Sequence, residues 1–146
     1  MDDMDGYWGP MPRLPMAKPA PHTAFEAVKA AGLTLPDVEA IVKAGSPRLQ
    51  RGGSFMAGLA SHPSAEPGTL VVRYDENERR WLLEDAPETY YLTEYYRRWP
   101  LILVRLSSVT PEALRDLHAV SWRLTGAKIR RRAAYAGRAS VSRRSR

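Results

Sequence analysis

Leu101-Ile102-Leu103-Val104-Arg105-Leu106 is followed, three residues on, by Thr110-Pro111-Glu112-Ala113-Leu114, a strand signal running into a helix start. The hexapeptide is apolar at neighbouring rather than alternate positions, the pattern of a central strand buried on both faces. Thr110 has the oxygen an N-cap needs, and Pro111 falls at the first helical position, where its missing N–H is no loss. Beyond it Leu114, Leu117, Val120 and Leu124 share one helical face, and Gly126 is the expected terminator. A strand of this kind needs neighbours, and a helix with one apolar stripe needs a layer to lie on.

Upstream, the neighbours are legible. Val38 to Lys43, Pro47 to Gln50 and Ser54 to Leu59 have strand character, and Gly52-Gly53 predicts a hairpin between the last two. Residues 60 to 68, with Pro63, Pro67 and Gly68, are expected to loop towards a further strand at Thr69 to Tyr74. Asp75 and Glu78 have the capping pattern for a helix carrying Trp81, Leu82 and Leu83, which Pro87 ends. Tyr90-Tyr91-Leu92 is a short aromatic segment, and Thr93 to Pro100 a polar-aromatic connector. Thr23 and Glu26 form a capping box ahead of a first helix that stops at Gly32. The order of elements predicts an α+β fold: an antiparallel sheet of about four to five strands with helices packed on one face.

The chain has 146 residues, of which 44% are hydrophobic and 26% charged, an ordinary globular composition. It has no cysteine, which removes disulfides, thiol catalysis and cysteine-ligated metals. The acidic, proline-interrupted start lacks the pattern of an export signal, and no apolar run approaches the roughly 20 residues that span a bilayer. A soluble, cytoplasmic protein is expected. Residues 1–21 contain five of the 12 prolines and four of the five methionines, and are read as a flexible arm. Residues 22–127 form the expected folded domain.

Net charge is +6, unevenly spread: from Lys128 to Arg146 there are eight basic residues and no acid, leaving the remainder at −2. Residues 128–146 are therefore read as a basic flexible tail.

The segment Asp85-Ala-Pro-Glu-Thr-Tyr-Tyr-Leu-Thr-Glu-Tyr-Tyr-Arg-Arg-Trp-Pro, the following Leu101-Ile-Leu-Val-Arg-Leu, the Ser121-Trp122-Arg-Leu helix end, Gly53-Ser-Phe-Met-Ala-Gly58 and Arg73-Tyr-Asp-Glu76 resemble the MmcQ/YjbR family. The likeness covers about Phe25 to Lys128. It implies an α+β fold similar to frataxin and to a double-wing DNA-binding domain, and brings a DNA-binding label resting on fold analogy. Where the family often has histidine in its Thr-(Asp/Glu)-His-Tyr stretch, this chain has Tyr95. The resemblance supplies no catalytic residues.

The preferred reading is a non-enzymatic protein binding DNA or RNA through phosphates, without sequence preference and without cofactor or metal. Tail residues Arg130, Arg131, Arg132, Arg138, Arg143, Arg144 and Arg146 would neutralise phosphates and release counterions. Lys43, Arg48 and Arg51 around the hairpin would form a basic wing. Tyr95, Tyr96, Arg97 and Arg98 combine ring faces with guanidinium groups, as base-stacking surfaces do. The alternatives are a protein-interaction module with a solubilising tail, or a small-ligand pocket lined by Tyr91, Tyr95 and Trp122. Acids Asp75, Glu76, Glu78, Glu84, Asp85 and Glu88 invite a cation site by analogy with frataxin, but the first three are better explained as helix-start partners. His22, His62 and His118 lack metal-ligand spacing.

Overall fold

The computed structural model describes the backbone of residues 21–144 and the side chains of residues 24–134. Three helices and six strands follow one another as α1 (Pro21–Gly32), β1 (Val38–Lys43), β2 (Ser46–Arg51), β3 (Ser54–Leu59), β4 (Thr69–Arg73), α2 (Arg79–Asp85), β5 (Tyr90–Tyr91), β6 (Leu101–Arg105) and α3 (Pro111–Arg144). The strands form one sheet in the order β1-β2-β3-β4-β6-β5, every neighbouring pair antiparallel. The α+β fold expected from the sequence is present, with six strands where four to five were counted. Among the described residues no helix is long and apolar enough to cross a membrane.

Two-residue turns set the register of the first three strands. Ala44 and Gly45 (φ 52° and 79°) close β1 on β2, and Gly52 and Gly53 (φ 54° and 77°) close β2 on β3. Positive φ at both central residues matches the right-handed twist of paired strands. The β2–β3 register shifts between Leu49 and Gln50, so Met56 has no partner opposite it, and its carbonyl instead accepts from the Ser121 hydroxyl of α3 at 3.0 Å.

Alternation then sorts the side chains to two faces. Leu49, Met56, Leu70, Val72, Ile102 and Val104 face the helices, packing with Phe25 and Val28 of α1, Leu82 and Leu83 of α2 and Leu114 and Leu117 of α3. On the opposite face Val71 and Leu103 are covered by Tyr96, with Phe55, Tyr91, Tyr95 and Leu101 around them. β6 is therefore buried on both faces, as its unbroken apolar run predicts, and lies between β4 and β5. Full burial of each such side chain contributes about 1.5–3 kcal/mol.

Two boundaries differ from expectation. α1 begins at Pro21, so Thr23 lies inside the helix rather than at its start, and residues 1–20 of the expected arm lie outside the described residues. More consequentially, α3 does not stop at Gly126: it runs on to Arg144, and residues 128–144 continue it in place of the expected flexible tail. A methyl group at Gly126 would meet the Arg51 guanidinium, with Nη1 2.5 Å away. Glycine here makes room for a neighbouring side chain; it does not terminate the helix.

Candidate anion-binding site

At one end of the sheet the end of β4, the start of β6, the β2–β3 turn and the projecting part of α3 come together. Arg73 closes β4 opposite Leu101, and its Nε donates to the Phe55 carbonyl at 2.7 Å. From α3, Lys128, Arg131 and Arg132 approach the same place, a spacing that keeps all three on one side of a helix. They line, with Arg73 and Pro100, an open groove of about 560 Å³. Arg73, Pro100 and Lys128 also line an adjoining recess of about 310 Å³ with Phe55, Trp99 and Leu101.

Among the described residues no carboxylate pairs with these four cations. Arg132 Nη2 donates to the Gly52 carbonyl at 3.3 Å and to Ser54 Oγ at 3.0 Å, and Asp75 and Glu76 line a further recess with Arg73, Lys128 and Arg131 without pairing with them. The crowding of like charge is felt by Lys128: Arg73 first, then burial, then Arg132 and Arg131 hold its ammonium below the ordinary lysine value. Burial lowers Arg73 as well. An anion in the groove would remove a repulsion that the folded chain otherwise sustains.

The connector that carries Trp99 is anchored from below. Arg79 is 8% exposed, and its guanidinium donates to the carbonyls of Trp99 (2.7 Å), Leu101 (3.0 Å) and Arg97 (2.8 Å). Trp99 itself is 39% exposed, edge-on to Tyr95 at 5.1 Å between ring centroids, with the Arg98 guanidinium 5.0 Å from its ring.

The remaining residues expected at a binding surface are dispersed. Lys43 is exposed at the β1–β2 turn, the opposite end of β2 from Arg51. Arg48 lies over the Phe55 ring at 5.4 Å. Arg51 turns to the helical side, stacks on Trp122 at 3.8 Å and donates to its carbonyl at 2.7 Å. These three residues do not gather into one basic wing. Tyr96 is buried and its hydroxyl accepts from the His62 backbone N–H; Tyr95 stacks on His62 at 3.5 Å. The four-residue stacking surface reduces to exposed Arg97 and Arg98 beside Trp99, because the tyrosines pack inward or against one another. Arg130 is exposed on α3. Arg138, Arg143 and Arg144 belong to the helical backbone with undescribed side chains, and Arg146 lies outside the described residues.

The pocket imagined between Tyr91, Tyr95 and Trp122 does not form, since Trp122 packs on the helical face and the tyrosines on the other. An apolar groove of about 540 Å³ does lie between α1 and the start of α3, lined by Ala24, Ala27, Ala31, Val109 and Leu114 among others, with Arg115 as its charged member. Among the described residues no group of three or more histidine, aspartate or glutamate side chains is placed to hold a metal ion.

Arg73 escaped the sequence reading of the site, Lys128 entered it only as charge, and Trp99 only as one ring among the aromatic residues beside Arg97 and Arg98. Strand alternation puts Arg73 on the face of Val71, but its meeting with α3 depends on a helix passing through Gly126. The helix-favouring run Ala127-Lys128-Ile129-Arg130 was the available signal. No protein-family model, curated protein or solved structure matches the chain.

Proposed function

We propose that the protein binds nucleic acid through its phosphates, without reading base sequence, at the end of the sheet from which α3 projects. The supporting observation is the convergence of Arg73, Lys128, Arg131 and Arg132 on one groove with no paired carboxylate among the described residues. Guanidinium and ammonium groups held near one another suit a polyanion, whose bound counterions they displace. The resemblance to the MmcQ/YjbR family, with its DNA-binding label, points the same way, and on this proposal the chain is a member of that family. The role is binding, not catalysis.

The test is fluorescence anisotropy of labelled duplex DNA, single-stranded DNA and RNA over a salt series, comparing the chain with a Lys128→Gln/Arg131→Gln variant. The logarithm of the affinity should fall linearly with the logarithm of salt concentration. In the variant the slope on duplex should be shallower by about 1–2, near one unit per lost phosphate contact. Absence of binding at low salt, or an affinity indifferent to salt, rules the reading out. An unchanged slope in the variant moves the contact away from this groove.

A further inference from the structure

The 310 Å³ recess differs from the open groove beside it in having aromatic walls. Half-buried Phe55 and Leu101 and exposed Trp99 and Pro100 line it with Arg73 and Lys128, and these two cations also line the adjoining groove with Arg131. Trp99 is braced by Tyr95, Tyr96 and Arg98, and 39% of its surface stays exposed to solvent. The three bonds from Arg79 fix the backbone on either side of it, so the ring is positioned before any ligand arrives. An aromatic surface next to phosphate-binding cations has a particular chemical complement. A paired base keeps its flat faces inside the duplex stack; an unpaired one presents a face and a phosphate together.

We propose that this recess is a subsite for one unpaired nucleotide: its base lies against Trp99 with Phe55 and Leu101 behind, and its phosphate is held by Arg73, Lys128 and Arg131, so single strands are favoured over duplex. The inference rests on the phosphate-binding reading above and narrows it to a substrate class. The recess is at the small end of ligand-pocket volumes, fitting a single nucleotide unit and excluding a double helix from its interior. Stacking on an indole is open to every base, so the preference for single strands carries no sequence preference with it.

Three probes separate the possibilities: a labelled oligothymidylate, the same strand annealed to its complement, and an oligomer of equal length with the same sugar-phosphate backbone but no bases. The full chain should bind the oligothymidylate about tenfold or more tightly than the baseless strand. In Trp99→Ala that ratio should collapse towards one, and in Trp99→Phe most of it should return; thermal melting establishes that each variant is folded. Equal affinity of the intact chain for the baseless and thymidylate strands, both salt-dependent, overturns the nucleotide subsite while leaving phosphate binding standing. So does a ratio that survives Trp99→Ala. Failure to bind any of the three at low salt removes phosphate binding and the subsite with it.

Discussion

Gly126 and Arg51 share a space that only one of them can fill. Alanine in a helix interior is favoured over glycine by about 1 kcal/mol, yet a methyl at residue 126 would displace the Arg51 guanidinium from its stack on Trp122 and its bond to the Trp122 carbonyl. Gly126→Ala is therefore expected to destabilise the protein by about 1 kcal/mol, since a charged donor's hydrogen bond and a close cation–ring contact outweigh the propensity gain. In an Arg51→Ala background the same substitution should stabilise by about 0.5–1 kcal/mol, and urea denaturation of the four proteins in a double-mutant cycle measures the difference. Sequence reading took Gly126 for a terminator because its partner is 75 positions away. His118 offers a second local test. Its Nε2–H donates to the Val28 carbonyl at 3.1 Å, while Nδ1 is buried without a partner among the described residues. Burial holds its pKa below the ordinary value, with the Val28 bond opposing. The unfolded chain then takes up a proton near pH 6.5 that the folded chain refuses, so the stability His118 contributes is present above about pH 6.5 and declines as pH falls below it. His118→Gln, which keeps a donor for Val28, should flatten the decline between pH 7.5 and 5.5 in urea titrations; a slope as steep as the parent's would place the titration elsewhere.

Segments were easier to anticipate than their ends. The glycine hairpin, the strands on both sides of it and the two-sided β6 follow from local chemistry: φ requirements, alternation and uninterrupted burial. The sheet order was out of reach, because β5 is only two residues long and is recognisable as a strand only through its pairing outside β6. The 93–100 connector was expected to be polar and aromatic, but its shape depends on Arg79, which sequence placed in an ordinary helix start. One guanidinium satisfies three carbonyls there, a geometry that a lysine ammonium cannot reproduce. Arg79→Ala should cost about 3 kcal/mol, the loss of several charge-assisted bonds with carbonyls left partly buried, and Arg79→Lys should recover only part of it, as read from urea midpoints. If nucleotide binding depends on a fixed Trp99, the alanine variant loses affinity for oligothymidylate before it unfolds. The helix α3 shows the converse difficulty: its start was clear from Thr110 and Pro111, with Thr110 Oγ1 accepting the Ala113 N–H at 3.1 Å, while its continuation past Gly126 had no local marker strong enough to oppose a glycine.

Adjacent residues of β6 serve opposite layers: Ile102 enters the cluster beneath the helices, and Leu103 the cluster beneath the connector. Both are fully buried, so truncation of either to alanine should cost about 2–5 kcal/mol. Because one strand anchors both layers, the signals from Trp99 on one side and Trp122 on the other should disappear together in a denaturant titration. Separate midpoints in single-tryptophan variants would show that the layers come apart independently. The candidate site is likewise a product of the assembled chain, drawing Phe55, Arg73, Trp99 and Lys128 from four separate elements; composition disclosed the positive charge, and only packing brings an indole to it. The position of α3 after all six strands bears on how the protein is made. While the chain is being synthesised, Leu49, Met56, Leu70, Val72, Ile102 and Val104 exist before the helix that supplies Leu114, Leu117 and the Ser121 bond to Met56. Translation halted before residue 111 would leave a sheet whose apolar face only α1 and α2 could cover, a nascent chain that chaperones should hold and that should aggregate once released.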